Sequence, residues 1–142
     1  MSAVLAQLFK QLLSLLGVLT LLAAVSLSAP PTTAAADGVV VEQLRLRVPT
    51  EQRQAWLEAE RGSWEPFLAR QDGFLGRELF WDPARQEALL LIRWASRAQW
   101  QAIPAAELQQ VQERFERIAR QGTGLAAGNP FPLVFEGELE PQ

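Results

Sequence analysis

The chain contains no cysteine, no histidine and no tyrosine among its 142 residues. Without cysteine there is no disulfide framework, no thiolate nucleophile, no thiolate-bound metal and no lipid-anchored cysteine. Without histidine it lacks the commonest general base near neutral pH and the commonest transition-metal ligand. Neither a metal site nor a cofactor is therefore expected. Lysine is nearly absent as well, Lys10 being the single one. From Asp37 onward every basic residue is arginine, and twelve arginines against sixteen acidic residues leave that part at −4. A mildly acidic domain with both signs interspersed suits neither nucleic acid nor an anionic membrane surface, so neither is expected as a partner.

Charge is also missing from residues 1–36, Lys10 apart, and an apolar run extends there from Leu12 to Leu27. A weakly positive start, an apolar middle and the small residues Ala34-Ala35-Ala36 are the three parts of a secretory signal. The expected processed chain begins at Asp37 and comprises residues 37–142, exported to a periplasm or thylakoid lumen. The alternative is an uncleaved membrane anchor over residues 12–29, the one route by which a membrane would enter. Ser14, Gly17, Thr20, Ser26 and Ser28 dilute that run and Pro30 and Pro31 end it, which favours cleavage. The domain is exported on either reading.

What the mature part does contain is a clear order of elements. Val39–Val48 alternates as a strand, with Val40, Leu44, Leu46 and Val48 on one side, interrupted by Glu42. Pro49 stops it, and Thr50 is a natural N-cap for a helix whose apolar positions are Trp56, Ala59, Ser63 and Phe67, joined by Leu57, Trp64 and Leu68. Pro66 conflicts with the carbonyl of Gly62, so a break is expected near Gly62–Glu65. Residues 72–96, DGFLGRELFWDPARQEALLLIRWAS, read as a β-hairpin turning at Asp82-Pro83. Its first strand sets Leu75, Leu79 and Trp81 against Phe74, Gly76 and Phe80. Its second sets Ala88, Leu90, Ile92 and Trp94 against Leu89, Leu91 and Arg93. Ser96 with Gln99 makes a capping box for a short helix, interrupted by Pro104. A longer helix runs from Pro104 to about Gln121 with the stripe Leu108, Val111, Phe115 and Ile118, and Gly122 suits its left-handed cap. Phe131–Leu139 is the last strand, with Phe131, Leu133, Phe135 and Leu139 on one side and Glu136 and Glu138 on the other.

The order β-α-β-β-α-β predicts an α+β, ferredoxin-like fold: a four-stranded antiparallel sheet with two helices on one face. Helices on one face cover one side only. Both faces of the hairpin are apolar, so the other side calls for a second sheet, most simply that of an identical chain. A homodimer, hence a dimeric α+β barrel, is the expectation.

GFLGRELFW, the proline-bearing turn, LLLIRWAS and the following RAQWQAI resemble the antibiotic-biosynthesis-monooxygenase-like dimeric α+β barrel domains. The resemblance spans about residues 38–138. More narrowly, the leader and the segment WEPFLARQDGFLG are similar to exported cyanobacterial proteins carrying this domain. The resemblance implies the same fold, with activities that range from cofactor-free monooxygenases and haem-degrading enzymes to isomerases. The cofactor-free enzymes are associated with an Asn, a Trp and Tyr residues around the substrate. Here tyrosine is absent, Asn129 is the only asparagine and precedes the last strand, and Trp64 stands at about the place of a pocket-lining Trp. Haem degradation is disfavoured, since no His, Cys or Tyr is available to hold iron and Met1 lies in the leader.

The five tryptophans, Trp56, Trp64, Trp81, Trp94 and Trp100, fall within 45 residues. A helix–sheet cleft lined by Trp64, Phe67, Phe74 and Trp94 would suit a small flat apolar or aromatic molecule, although rings of this kind equally fill cores and interfaces. Glu42 on an apolar strand face is expected to pair with an arginine such as Arg77 or Arg93, or to lie at the wetter end of the sheet, with a base of raised pKa as the alternative. Glu60 and Glu65 are expected to face solvent. Three functions follow from these residues: a small-molecule binding protein, a cofactor-independent monooxygenase using Trp64 and Asn129, or a protein-interaction module. No catalytic residue is singled out.

Overall fold

The computed structural model of the chain describes residues 38–142. The leader, its cleavage after Ala36 and the anchor over 12–29 lie outside those residues. β1 (Val40–Arg47) keeps its alternation: Val40, Leu46 and the following Val48 are buried on one side with Glu42 among them. The cap expected from Thr50 does not form. Pro49 occupies the cap position, and a backbone bond from Gln52 N to Pro49 O (2.9 Å) closes a 3-10 turn over Thr50–Gln52. α1 (Arg53–Gly62) then ends where Pro66 requires. Ser63 leaves helical geometry, and α2 (Trp64–Leu68) restarts with the proline in its first turn, where a missing N–H costs nothing.

β2 (Phe74–Asp82) and β3 (Glu87–Trp94) form the hairpin. Asp82 Oδ1 accepts the amides of Ala84 (2.9 Å) and Arg85 (3.1 Å), so the side chain organises the turn as expected. One detail differs. A bulge steps the pairing from Phe74↔Trp94 to Gly76↔Arg93, leaving Leu75 as the extra residue. An extra residue inverts the alternation, so Phe74 joins the buried face and Leu75 is exposed.

Ser96 Oγ accepts the Gln99 amide (3.2 Å) and starts α3 (Arg97–Gln101), after which Ile103 is buried and Pro104 leads into α4 (Ala105–Thr123). The left-handed cap is Gly124 (φ +73), not Gly122. Gly122 serves a different need: a Cβ there would lie 2.7 Å from Ala55 Cβ, so its absence lets α4 approach α1.

β4 (Leu133–Leu139) also carries a pairing shift, between Arg45 and Leu46 of β1. The shift splits the expected apolar side. Phe131 and Leu133 pack into the core, whereas Phe135 and Leu139 turn outward.

All pairings are antiparallel and the strand order is β2-β3-β1-β4, the ferredoxin-like arrangement expected. The helices cover one face. Two core clusters lie beneath them, one around Trp94, Trp100, Ile103 and Val111, the other around Trp56, Val48, Phe115 and Phe131; Leu44 and Trp64 touch both. Across the covered face the strands align Trp81–Ala88–Leu46–Leu133, then Leu79–Leu90–Leu44, then Arg77–Ile92–Glu42. That last row continues to Glu138 of β4, so it is charged at three of its four positions, and its Arg77, Ile92 and Glu42 form part of the site.

Candidate functional site: a cavity between helices and sheet

Between helices and sheet lies a cavity of about 50 Å³. Its floor is Glu42, Leu44, Leu90, Ile92 and Trp94 with Arg77 at one edge. Its roof is Glu60, Trp64 and Leu68 on one side and Trp100, Leu108 and Gln112 on the other, and Asn129 and Phe131 close one end. Apolar side chains dominate the wall. The polar groups among them are few, with Glu42, Glu60 and Gln112 buried and Arg77 and Asn129 half-buried, the usual makeup of a small-molecule site.

Each polar group is held by an identifiable element. The alternation of β1 turns Glu42 inward, and its Oε2 receives the indole N–H of Trp94 at 3.4 Å. Glu60, 1% exposed, is the other buried carboxylate of the wall. Its Oε1 accepts from Trp56 Nε1 (3.2 Å), one helical turn earlier, and its Oε2 accepts from Arg77 Nη1 at 2.6 Å. Arg77 also reaches Glu65 Oε2 through Nη2 at 3.4 Å. The guanidinium thus links a buried carboxylate to an exposed one. Burial pushes the Glu60 carboxyl above the usual carboxylate range, and neighbouring Glu65 adds to this, against the opposing pull of Arg77 and the Trp56 N–H.

Two expectations are corrected here. Glu60 does not face solvent; Glu65 does. Arg77 takes Glu60 as its close partner rather than Glu42, and Arg93 lies on the opposite face of the sheet, in register with Val41 and Gly76. The reason is geometric. Arg77 and Glu42 share a row but are separated by Ile92, whereas α1 lies over the sheet and lowers Glu60 onto the guanidinium.

The four aromatic residues expected in the cleft are brought into one region, on two levels. Trp64 and Trp94 line the cavity. Phe67 packs edge-on against Trp64 and Phe74 edge-on against Trp94, each with centroids 5.8 Å apart. They buttress the wall without forming it. Phe67 also borders a second groove between α2 and α4, which is open to solvent and rimmed by Arg70, Arg114, Arg117 and Glu107. Asn129 reaches the main cavity and its Oδ1 accepts the amide of Phe131 (3.0 Å). Trp100, Gln112 and Glu60 are wall residues that the sequence did not single out. The signal for Glu60 was present: it stands four residues after Trp56 and four before Trp64, inside the buried stripe.

Among the described residues no group of His, Cys, Asp and Glu could hold a metal ion. The sequence matches no family model and no curated protein. Solved structures do match. One is a provisionally assigned antibiotic biosynthesis monooxygenase from Bordetella bronchiseptica, 17% identical over 75% of this chain and 99% of that one, with a TM-score of 0.52. Another of the same description, from Chloroflexus aurantiacus, is 19% identical over 74% and 94% of the two chains, with a TM-score of 0.48. SnoaB, a cofactor-independent oxygenase from Streptomyces nogalater, is 16% identical over 74% and 94%, with a TM-score of 0.44. The Bordetella protein carries the conclusion: the domain has the antibiotic-biosynthesis-monooxygenase-like, ferredoxin-like α+β fold that its hairpin resembles.

Proposed function

We propose that the helix–sheet cavity binds a small, flat apolar or aromatic molecule, and that the working unit is an exported homodimer. The cavity itself carries the reading. It is walled by Trp64, Trp94, Trp100 and Phe131, yet retains a buried ion pair that a purely structural core would do better without. Its 50 Å³ would hold roughly four water molecules at the ~10–15 Å³ each needs. Admission of a larger ring requires a wall residue to turn, and Trp64 is a ring of the wall that is only half-buried. Native mass spectrometry of protein from its own host tests this directly: a small molecule should accompany the folded chain. Recovery of clean apoprotein that no aromatic probe quenches would defeat the reading.

The dimer rests on the uncovered face of the sheet. Phe80 (49% exposed), Phe135 (47%) and Leu139 (45%) lie on it beside half-buried Leu89 and Leu91. A patch of this kind on a small domain marks an interface. Light scattering on residues 37–142 should give twice the chain mass, and a monomer at micromolar concentration would remove the dimer. Export rests on residues 1–36, and the mass of the native protein tests cleavage after Ala36.

A second reading, a cofactor-independent monooxygenase, is favoured by one observation: Trp64 and Asn129, the two candidates for that chemistry, line the same cavity. Such an enzyme consumes O₂ with a hydroxylated aromatic, and Trp64→Phe should slow it. Unchanged turnover in that variant would remove Trp64 from the chemistry.

A further inference from the structure

We infer that the groove between α2 and α4 is a docking site for an acidic segment of a partner protein. Arg70, Arg114 and Arg117 would take its carboxylates, while one of its apolar side chains rests on Phe67 and Val111. The groove shares no lining residue with the helix–sheet cavity, so it goes beyond the ligand reading and does not depend on it.

The arginines reach the groove with their heads unoccupied. Arg114 and Arg117 stand three residues apart on α4, a spacing that sets two side chains next to each other on one helical face. Arg70 follows the end of α2, on the other side of the groove. Elsewhere the guanidinium groups are used. Arg45, Arg77, Arg85, Arg97 and Arg120 each meet a carboxylate, and Arg53 lies over the Trp81 ring. Arg70, Arg114 and Arg117 make no ion pair among the described residues. Arg47, Arg61 and Arg93 make none either, but they do not border the groove.

Two carboxylates share the lining. Glu113 accepts from Gln109 Nε2 (2.9 Å), and neither it nor Glu107 pairs with the three arginines. Three positive charges against two negative ones make this groove a basic spot on an acidic domain. The mixture selects the class of partner. Nucleic acid or an anionic membrane would press phosphates against Glu107 and Glu113 as well, and against the charge of the whole domain. A peptide instead offers separate carboxylates, which arginine clusters recognise through paired N–H bonds.

The shape agrees with a chain segment. The groove has a volume of about 750 Å³ and is open to solvent, whereas small-molecule sites enclose most of the ligand surface. Phe67 and Val111 belong to the core and give it an apolar floor. The groove lies in the helical layer, so a homodimer through the uncovered sheet face leaves it accessible.

The probe is a short polyglutamate peptide with a leucine at its centre, and the control replaces every glutamate by serine. Each is titrated into the isotope-labelled full-length protein and followed by amide NMR shifts. The acidic peptide should cause saturable shifts within residues 66–70 and 107–117, and the serine peptide none. Arg114→Glu with Arg117→Glu sets like charges opposite the peptide and should weaken binding by at least about tenfold. Unchanged signals at the cavity check that this variant is folded. If reversal disturbs α4, Arg114→Gln with Arg117→Gln should still weaken binding several-fold.

The proposal is overturned if the acidic peptide at millimolar concentration shifts nothing, or shifts residues outside the groove. It is equally overturned if the serine peptide binds as well, or if the variants bind as tightly as the unmodified protein. Tighter occupation of the groove by a heparin fragment or by anionic vesicles would replace the protein partner with a polyanion. None of these results touches the reading of the cavity.

Discussion

The two faces of the sheet are made from the same strands and reach opposite ends. On the face toward the helices, Ala88, Leu90, Ile92 and Trp94 of β3 are all buried. On the other, Leu89 and Leu91 are only half-buried and Phe80 and Phe135 stand exposed around them. Cross-strand neighbours make the second face continuous: Phe80, Leu89, Arg45 and Phe135 form one row, Gly76, Arg93, Val41 and Leu139 another. A period of two serves both faces equally, so alternation cannot say which of them is the core. Among the described residues, helices cover one face only. The contrast teaches that one strand sequence can carry two apolar faces, one closed within the molecule and one left exposed on the described domain.

The comparison is broken most violently from the inside. Trp94→Ala removes a fully buried ring and deprives Glu42 of its indole donor. It should cost about 3–5 kcal/mol of unfolding free energy, readable by urea denaturation; a loss below 1 kcal/mol would mean that the inner face is loosely packed. The outer face should respond differently. Leu89→Glu places a carboxylate in the middle of that face, opposite Arg45, where a lone chain tolerates it and an interface does not. In the proposed dimer, association should weaken by about 2 kcal/mol or more, close to thirtyfold, while the unfolding free energy of the single chain changes little. Light scattering and urea titration separate the two effects. If instead the fold itself collapses, the two faces are not energetically distinct.

A smaller effect tests how tightly the helical layer is fitted. Gly122→Ala adds a methyl group 2.7 Å from Ala55 Cβ and 3.3 Å from its Cα. Overpacking costs about 1–3 kcal/mol, against about 1 kcal/mol regained from helix propensity. A net loss of about 1 kcal/mol should appear as a lower Tm; a gain would show that α1 and α4 can move apart freely.

The smallest effect is a slope. Because burial raises the Glu60 pKa in the folded state, the folded chain binds its proton more tightly than the unfolded chain does. Between the ordinary carboxylate range and the raised value the native state then carries more protons. Stability therefore falls as pH rises through that window, by of order 1 kcal/mol per pH unit at most. Below the window the contribution is fully favourable. Subtracting the profile of Glu60→Gln from that of the unmodified protein isolates the slope from Glu42 and the other carboxylates. A difference profile of the opposite sign would mean that Arg77 outweighs burial.

Much of the fold was legible because its signals are local. Asp82 organising its own turn, Ser96 capping α3, Pro66 breaking the first helix and the alternation of β3 each depend on residues within a few positions of one another. Two local expectations fail, the caps at Thr50 and Gly122, and the errors of face in the strands arise where pairing with another strand decides. The bulge at Leu75 and the shift in β4 exchange faces for Phe74, Phe135 and Leu139, and neither leaves a mark in the alternation itself. The candidate site was half legible. Trp64 and Trp94 announced themselves as large rings on apolar stripes, but Phe67 and Phe74 carry the same signal and stand one layer back. Periodicity reports which side a residue faces, not how deep it lies.

By itself the sequence determined the order of elements, the two apolar faces of the hairpin and the absence of thiol, imidazole and phenol chemistry. These are properties of composition and short-range spacing, and no packing arrangement can change them. Only the tertiary structure decided that Glu60 is buried against Arg77, that Glu42 meets Trp94, and that a cavity lies between them. Those contacts join residues 17 and 52 positions apart. The partner of a buried charge is the oppositely charged group or donor that packing brings within about 3 Å. That choice belongs to the arrangement of helix over sheet, which no local pattern of residues contains.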